Sequence, residues 1–269
     1  MVVKGVKIRN ALNAEEHQLD YLRTGFERAH CMLVPNDEHT AHVIEAVVDT
    51  EGWADCSGKD APPPDFVCES KGIMLEAMRV DDHERPGDKK GFVNPVRARE
   101  SEIIKEYESE FSELLASVAE GATLTVTGKT DLPTAEDHNY GFYLSAFNRI
   151  VNKHAAHASD YRSNHPGLEL VFFVFDESTF YLEASEGHGT IPRKGEVVRG
   201  RPHYWFADAA FLDVIGRSGA DYFIWYTPFK QPQLFAKELV LPDMVVYDLR
   251  RFDPERIVYD EARMMSAEE

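Results

Sequence analysis

Pro64-Asp65-Phe66-Val67-Cys68-Glu69-Ser70-Lys71-Gly72-Ile73-Met74-Leu75-Glu76-Ala77-Met78-Arg79-Val80 holds two apolar runs around a short polar turn. Residues 65–69 read as one strand and 73–80 as its return. Ser70-Lys71-Gly72 joins them, with Gly72 able to take a positive φ. Side chains alternate along a strand, so Glu76 and Met78 share one face while Leu75, Ala77 and Arg79 share the other. Asp65 opens the first strand, and Glu76 sits in the middle of its neighbour. An acid inside an apolar strand is costly to bury without a partner. A cation is one such partner, and two carboxylates on adjacent strands offer the hard oxygen ligands that Mg2+ prefers.

Upstream, residues 14–29 carry Leu19, Leu22, Phe26 and Ala29 at helical spacing. Asn36 or Asp37 caps a second helix reaching about residue 49, with Val43, Ile44, Val47 and Val48 apolar. Downstream, 81–92 is a charged loop rich in Gly and Pro. Residues 99–120 form a helix with a stripe through Ile103, Tyr107, Phe111 and Leu114, and 122–127 a strand. A helix over 140–158 turns Phe147, Ile150 and Val151 inward. Residues 168–175 are almost continuously apolar, which indicates a strand covered on both faces. Residues 207–217 read as a helix, and 221–226 and 244–249 as strands. This alternation predicts an α/β layered sheet. With no linker in evidence, residues 1–269 are expected to form a single domain, with an insertion near 81–139 and an irregular excursion near 178–204.

A chain of 269 residues has room for a substantial core. Its 47 acidic and 29 basic residues give a net charge of −18, which disfavours nucleic acid and anionic membranes as partners. The three cysteines, Cys31, Cys56 and Cys68, follow no zinc spacing and point to a reducing compartment. No run approaches a membrane span, and the first residues lack an apolar signal core, so a cytoplasmic location is expected. Tyr204-Trp205-Phe206 and Trp225-Tyr226 could stack on bases, or fill a core or the interface of a homo-oligomer.

The hairpin resembles that of the PD-(D/E)XK nucleases. Pro64-Asp65 matches the family's Pro-Asp, and Glu76-Ala77-Met78 its acidic-x-Lys triplet. The flanking order is similar too: a helix bearing Glu45 precedes the hairpin, and the 140–158 helix leads into the 168–175 strand. The resemblance spans about residues 35–176, with 81–139 unmatched. It implies a restriction-endonuclease-like mixed sheet flanked by helices. It also implies Mg2+ held by Asp65 and Glu76, with Glu45 as a third ligand, and hydrolysis of phosphodiesters. The departure is Met78, which stands where the family places a lysine that activates water and stabilises phosphate charge. Lys153, on the following helix, is the candidate migrated lysine. Lys71 lies at the far end of the hairpin, and alternation turns Arg79 away from Glu76.

Three function classes remain open. The first is an Mg2+-dependent hydrolase binding and cutting DNA or other nucleic acid through Asp65, Glu76 and Lys153. The second is an inactive nuclease-fold module for binding or assembly, which Met78 and the net charge favour. The third is an unrelated metal-dependent α/β enzyme acting on a small substrate, with His154 and His157, three apart on a helix, at an enclosed site. Each residue also has a plainer role. Asp65 can be a strand-start turn carboxylate, Glu76 a solvent-facing residue on a one-sided sheet, Glu45 a solvated helix acid, and Lys153 a snorkelling surface lysine.

Overall fold

The hairpin forms where the alternation of residues 65–80 places it. Gly72, at φ 70°, turns the chain between strands Phe66–Cys68 and Ile73–Val80. A computed structural model describes residues 15–57, 64–83, 85–86, 92–110, 138–185, 199–230 and 239–266. In chain order these give α1 (Glu15–Gly25), β1 (Cys31–Val34), α2 (Glu38–Val48), β2 (Ala54–Asp55), β3 (Phe66–Cys68) and β4 (Ile73–Val80). A small ribbon follows, β5 (Arg85–Pro86) with β6 (Phe92–Val93), and then α3 (Pro95–Glu110). The second half holds α4 (Tyr140–Ala155), α5 (Ala158–Asn164), β7 (Glu169–Asp176), β8 (Tyr181–Ala184) and β9 (Gly200–Pro202). It closes with α6 (Ala209–Ile215), β10 (Tyr222–Tyr226), β11 (Met244–Asp248) and β12 (Met264–Ser266).

Seven strands form one mixed sheet in the order β1-β11-β10-β7-β4-β3-β2. β4, β7 and β10 run parallel, and β3 is antiparallel to β4. β11 is antiparallel to β10 and parallel to β1. A second sheet has the order β12-β8-β9. The class is therefore α/β, a mixed sheet flanked by helices.

Alternation divides the sheet into two covered faces. Met74, Met78, Phe172, Val174, Phe223 and Trp225 pack with Phe147 and Val151 of α4, Tyr161 of α5 and Phe211 of α6. Leu75, Ala77, Val171, Phe173, Phe175 and Ile224 pack with Leu19 and Leu22 of α1 and Val43, Ile44 and Val47 of α2. Burial on both sides is why β7 reads as an unbroken apolar run: Leu170 through Phe175 are all fully buried. Asp37 caps α2 by accepting the Thr40 N–H, and Asn139 caps α4 by accepting that of Phe142.

Several elements depart from expectation. β1 is a strand that residues 31–34 do not announce, because four residues are too few to show a period; it exists through its pairing with β11. The described part of the stretch near 178–204 holds two short strands, β8 and β9. The helix expected over 140–158 breaks at Ala156-His157 and resumes as α5. The third helix starts earlier, with Pro95 at its first position, where a missing N–H is harmless. The continuation expected to residue 120 and the strand at 122–127 fall outside the described residues. Among the described residues, no helix is long and apolar enough to cross a membrane.

Phe173 is fully buried between α1, α2 and the middle of the sheet. Phe173→Ala is expected to lower unfolding free energy by about 3–5 kcal/mol. Urea denaturation of the two proteins checks this, and a change under about 1 kcal/mol would place the core elsewhere.

Candidate active site

Register brings the two hairpin acids together. Phe66 pairs with Leu75, so Asp65, one step further out, faces Glu76. The Asp65 N–H donates to Oε2 of Glu76 at 3.3 Å, and Oδ2 of Asp65 accepts the Ala77 N–H at 2.8 Å. Glu76 shares the face of Met74 and Met78, which α4 and α5 cover, and it is only 4% exposed. His154, near the end of α4, brings Nδ1 to 2.5 Å from Oε1 of Glu76. Tyr161 of α5 hydrogen-bonds to the same carboxylate, and burial together with Glu76 drives its phenol well above the ordinary range. Three donors thus use most of the roughly four acceptor sites of Glu76. Burial pushes the Asp65 carboxyl up to about 8; the charge on Glu76 adds to this, and the Ala77 N–H opposes it. Glu15 and Asp55 contribute further negative charge.

The other residues singled out from sequence do not join this pair. Glu45 is exposed on α2, whose apolar side packs against the opposite face of the sheet. Lys153 is exposed, and its neighbour His154 is the residue that turns inward. Lys71 donates to the carbonyls of Ala46 and Asp49 at 3.2 and 2.7 Å, at the end of α2. Arg79 pairs with Glu177. Met78 is buried in the core. His157 pairs with Asp160 at the surface, at 3.3 Å. Trp205 and Trp225 are fully buried against each other, so they fill core rather than offer a surface for stacking.

A second polar group lies at the other end of β4. Asp82 follows the strand, and its Oδ2 accepts the Thr179 N–H at 3.0 Å and the Tyr181 hydroxyl at 2.7 Å. Its Oδ1 is turned to two imidazoles, 2.9 Å from Nδ1 of His138 and 3.6 Å from Nδ1 of His83. Although burial works against it, the His138 and His83 imidazoles and the Tyr181 hydroxyl hold the Asp82 carboxyl below the ordinary range. Among the described residues, Asp82, His83 and His138 are the trio of His, Cys, Asp or Glu whose donor atoms all lie within 4.8 Å of one another. Asp65, Glu76 and Glu45 form no such trio. Beside this group, Asp176 closes β7 and accepts from Tyr143, Trp225 and the Ser178 N–H. Lys230, past the end of β10, contacts Ser178, donates to the Thr179 carbonyl at 3.0 Å and lies 3.7 Å from Asp176. Burial lowers its pKa.

Glu76 lies in the middle of β4 and Asp82 two residues beyond its end, so the two groups are separate. Comparisons of the chain with family profiles, with curated proteins and with solved structures find no match. The group at Asp82 was only partly visible in sequence. Asp82-His83 closes an apolar run, and Asp176 closes another, at the carboxyl ends of parallel strands where α/β proteins gather ligands. His138 and Lys230 arrive from distant segments and carry no local signal.

A carboxyl raised by folding favours the folded state fully below its unfolded pKa, and that contribution is lost as pH rises through its folded value. Wild-type melting temperature is therefore expected to fall, relative to Asp65→Asn, between about pH 4 and the folded value near 8. Parallel pH–melting curves for the two proteins would remove this assignment.

Proposed function

We propose that the chain is an Mg2+-dependent phosphodiester hydrolase of the nuclease-like class, with Asp65 and Glu76 as cation ligands and His154 in the part expected of a lysine. The observation that carries this reading is the facing pair of carboxyl groups with an imidazole set on one of them. The donors suit the ion. They are hard oxygens, and the elevated Asp65 carboxyl reflects a site where a second negative charge is unwelcome and a cation would be gained. Two protein ligands without Glu45 are compatible with an ion that retains several waters. Bound there, Mg2+ would lower the pKa of a water and neutralise phosphate charge. The chain's own part is to hold and move a proton. Glu76 fixes the His154 ring through Nδ1, leaving Nε2 to take a proton from water or to pass one to a leaving oxygen. Lys153, exposed beside His154, adds positive field only.

A second reading is a nuclease-like module that binds without cutting. Met78, buried at the position of the missing lysine, favours it, as do the acids Glu15 and Asp55, which would repel a phosphate backbone. The three donors already on Glu76 point the same way.

Cleavage of supercoiled plasmid, single-stranded DNA and RNA with Mg2+ or Mn2+ separates the two. Glu76→Gln and His154→Gln are each expected to lose about a hundredfold or more of activity, while Lys153→Ala keeps most of it. Equal cleavage by wild type and Glu76→Gln, or no cation-dependent cleavage at all, would end the catalytic reading. Cation binding that requires Asp65 and Glu76 but comes without cleavage is the outcome the binding module gives.

A further inference from the structure

We propose that Asp82, His83 and His138 form a binding site for a first-row divalent transition metal of the zinc class, separate from the Asp65–Glu76 pair. Two imidazoles and one carboxylate are a nitrogen-rich donor set, suited to Zn2+, Co2+ or Fe2+ rather than to Mg2+ or Ca2+, which take oxygen. The spacing fits. With metal–ligand bonds of about 2.0–2.1 Å in tetrahedral geometry, neighbouring donors stand about 3.3–3.4 Å apart. The separations from Oδ1 of Asp82 are 2.9 Å to His138 and 3.6 Å to His83, and all three donor atoms lie within 4.8 Å of one another. Small side-chain rotations close that set around an ion.

The surroundings are those of a built site. Asp82 is fully buried, and its Oδ2 is held by the Thr179 N–H and the Tyr181 hydroxyl. Such outer partners orient a ligating carboxylate. Among the described residues, its Oδ1 meets no hydrogen-bond partner of normal geometry, although Nδ1 of His138 lies 2.9 Å away. A buried carboxylate oxygen left that way is costly in an apolar interior, and a cation between it and the imidazoles would satisfy it. Asp81, next in sequence, is engaged differently: Asn94 Nδ2 lies 2.8 and 2.7 Å from its two oxygens. Rings His83 and His138 stand 4.5 Å apart by centroid. His138 is buried, whereas His83 is partly exposed, so the trio has one side toward solvent. Three protein ligands leave a coordination position for water or an anionic ligand on that side. The position in the fold agrees, since the trio sits at the carboxyl ends of β4 and β7, the edge where parallel sheets place their ligands.

The test uses the full chain, stripped with a chelator and titrated with Co2+ as a spectroscopic probe, then with Zn2+. With excess Mg2+ present to occupy the Asp65–Glu76 pair, one equivalent of Co2+ is expected to bind, with visible ligand-field bands that Zn2+ displaces, and to raise the melting temperature. His83→Gln, at a partly exposed position, keeps the fold and is expected to weaken binding by at least about tenfold. Tyr181→Phe is expected to weaken it by about tenfold through the outer hydrogen bond alone. His157→Gln, at the surface pair with Asp160, and Glu76→Gln at the other centre are expected to bind as wild type. The proposal is overturned if no saturable one-equivalent binding is seen, or if His83→Gln and His138→Gln bind Co2+ like wild type. Because Glu76→Gln leaves this metal in place, failure here and failure of the hydrolase reading are told apart.

Discussion

Parallel pairing of β4 with β7 over eight consecutive residues, from Ile73 with Glu169 to Val80 with Asp176, decides which side chains meet which layer. A one-residue slip would carry Leu75 and Ala77 to the α4 face and turn Glu76 into the aliphatic layer under α1 and α2. The register holds because both faces of both strands are buried, so a slip would misplace every apolar side chain at once. Glu76 is tolerated in this setting because His154, Tyr161 and the Asp65 N–H compensate it.

Legibility in the sequence tracks how local the determining forces are. The hairpin at residues 65–80, the cap at Asp37 and the apolar run of β7 were readable because alternation, capping and double-sided burial each act within a few residues. The facing of Asp65 and Glu76 was readable for the same reason: hairpin register fixes it. His154 was visible as a helix histidine but not as the partner of Glu76, because its inward aim depends on the phase of α4 against β4. Lys153, one position earlier, takes the exposed side of the same turn. Glu45 lies on a helix that precedes the hairpin as expected, but the helix packs on the face that Asp65 and Glu76 do not use. β1, β8, β9 and β12 are short strands whose existence rests on distant partners, and the group around Asp82 is assembled from segments far apart in the chain.

Part of the acid count that gives the net charge of −18 lies inside the molecule. Glu76, Asp81, Asp82, Asp176, Glu183, Asp208 and Asp248 are buried. Several meet specific partners: Asp248 the surface residues Arg250 and Arg251, Glu183 Arg201 and Arg263 at the rim, and Asp208 the buried Tyr140 and His203. Internal acids of this kind bind the layers together through specific partners. They also account for the concentration of polar atoms along the carboxyl edge of the sheet, where Asp82 and Asp176 end neighbouring strands.

α4 begins two residues after His138 and carries His154 in its last turn. It acts as a ruler laid along β4. The helix is about 24 Å long, and each end delivers an imidazole to a different carboxylate. Adding or removing a single residue between the two histidines would rotate one end against the other by about 100°. No sliding of the helix could restore both contacts. The length of this segment is therefore far less free to drift than its composition, and surface positions such as Asn148 and Arg149 can vary while the residue count between the two rings is held.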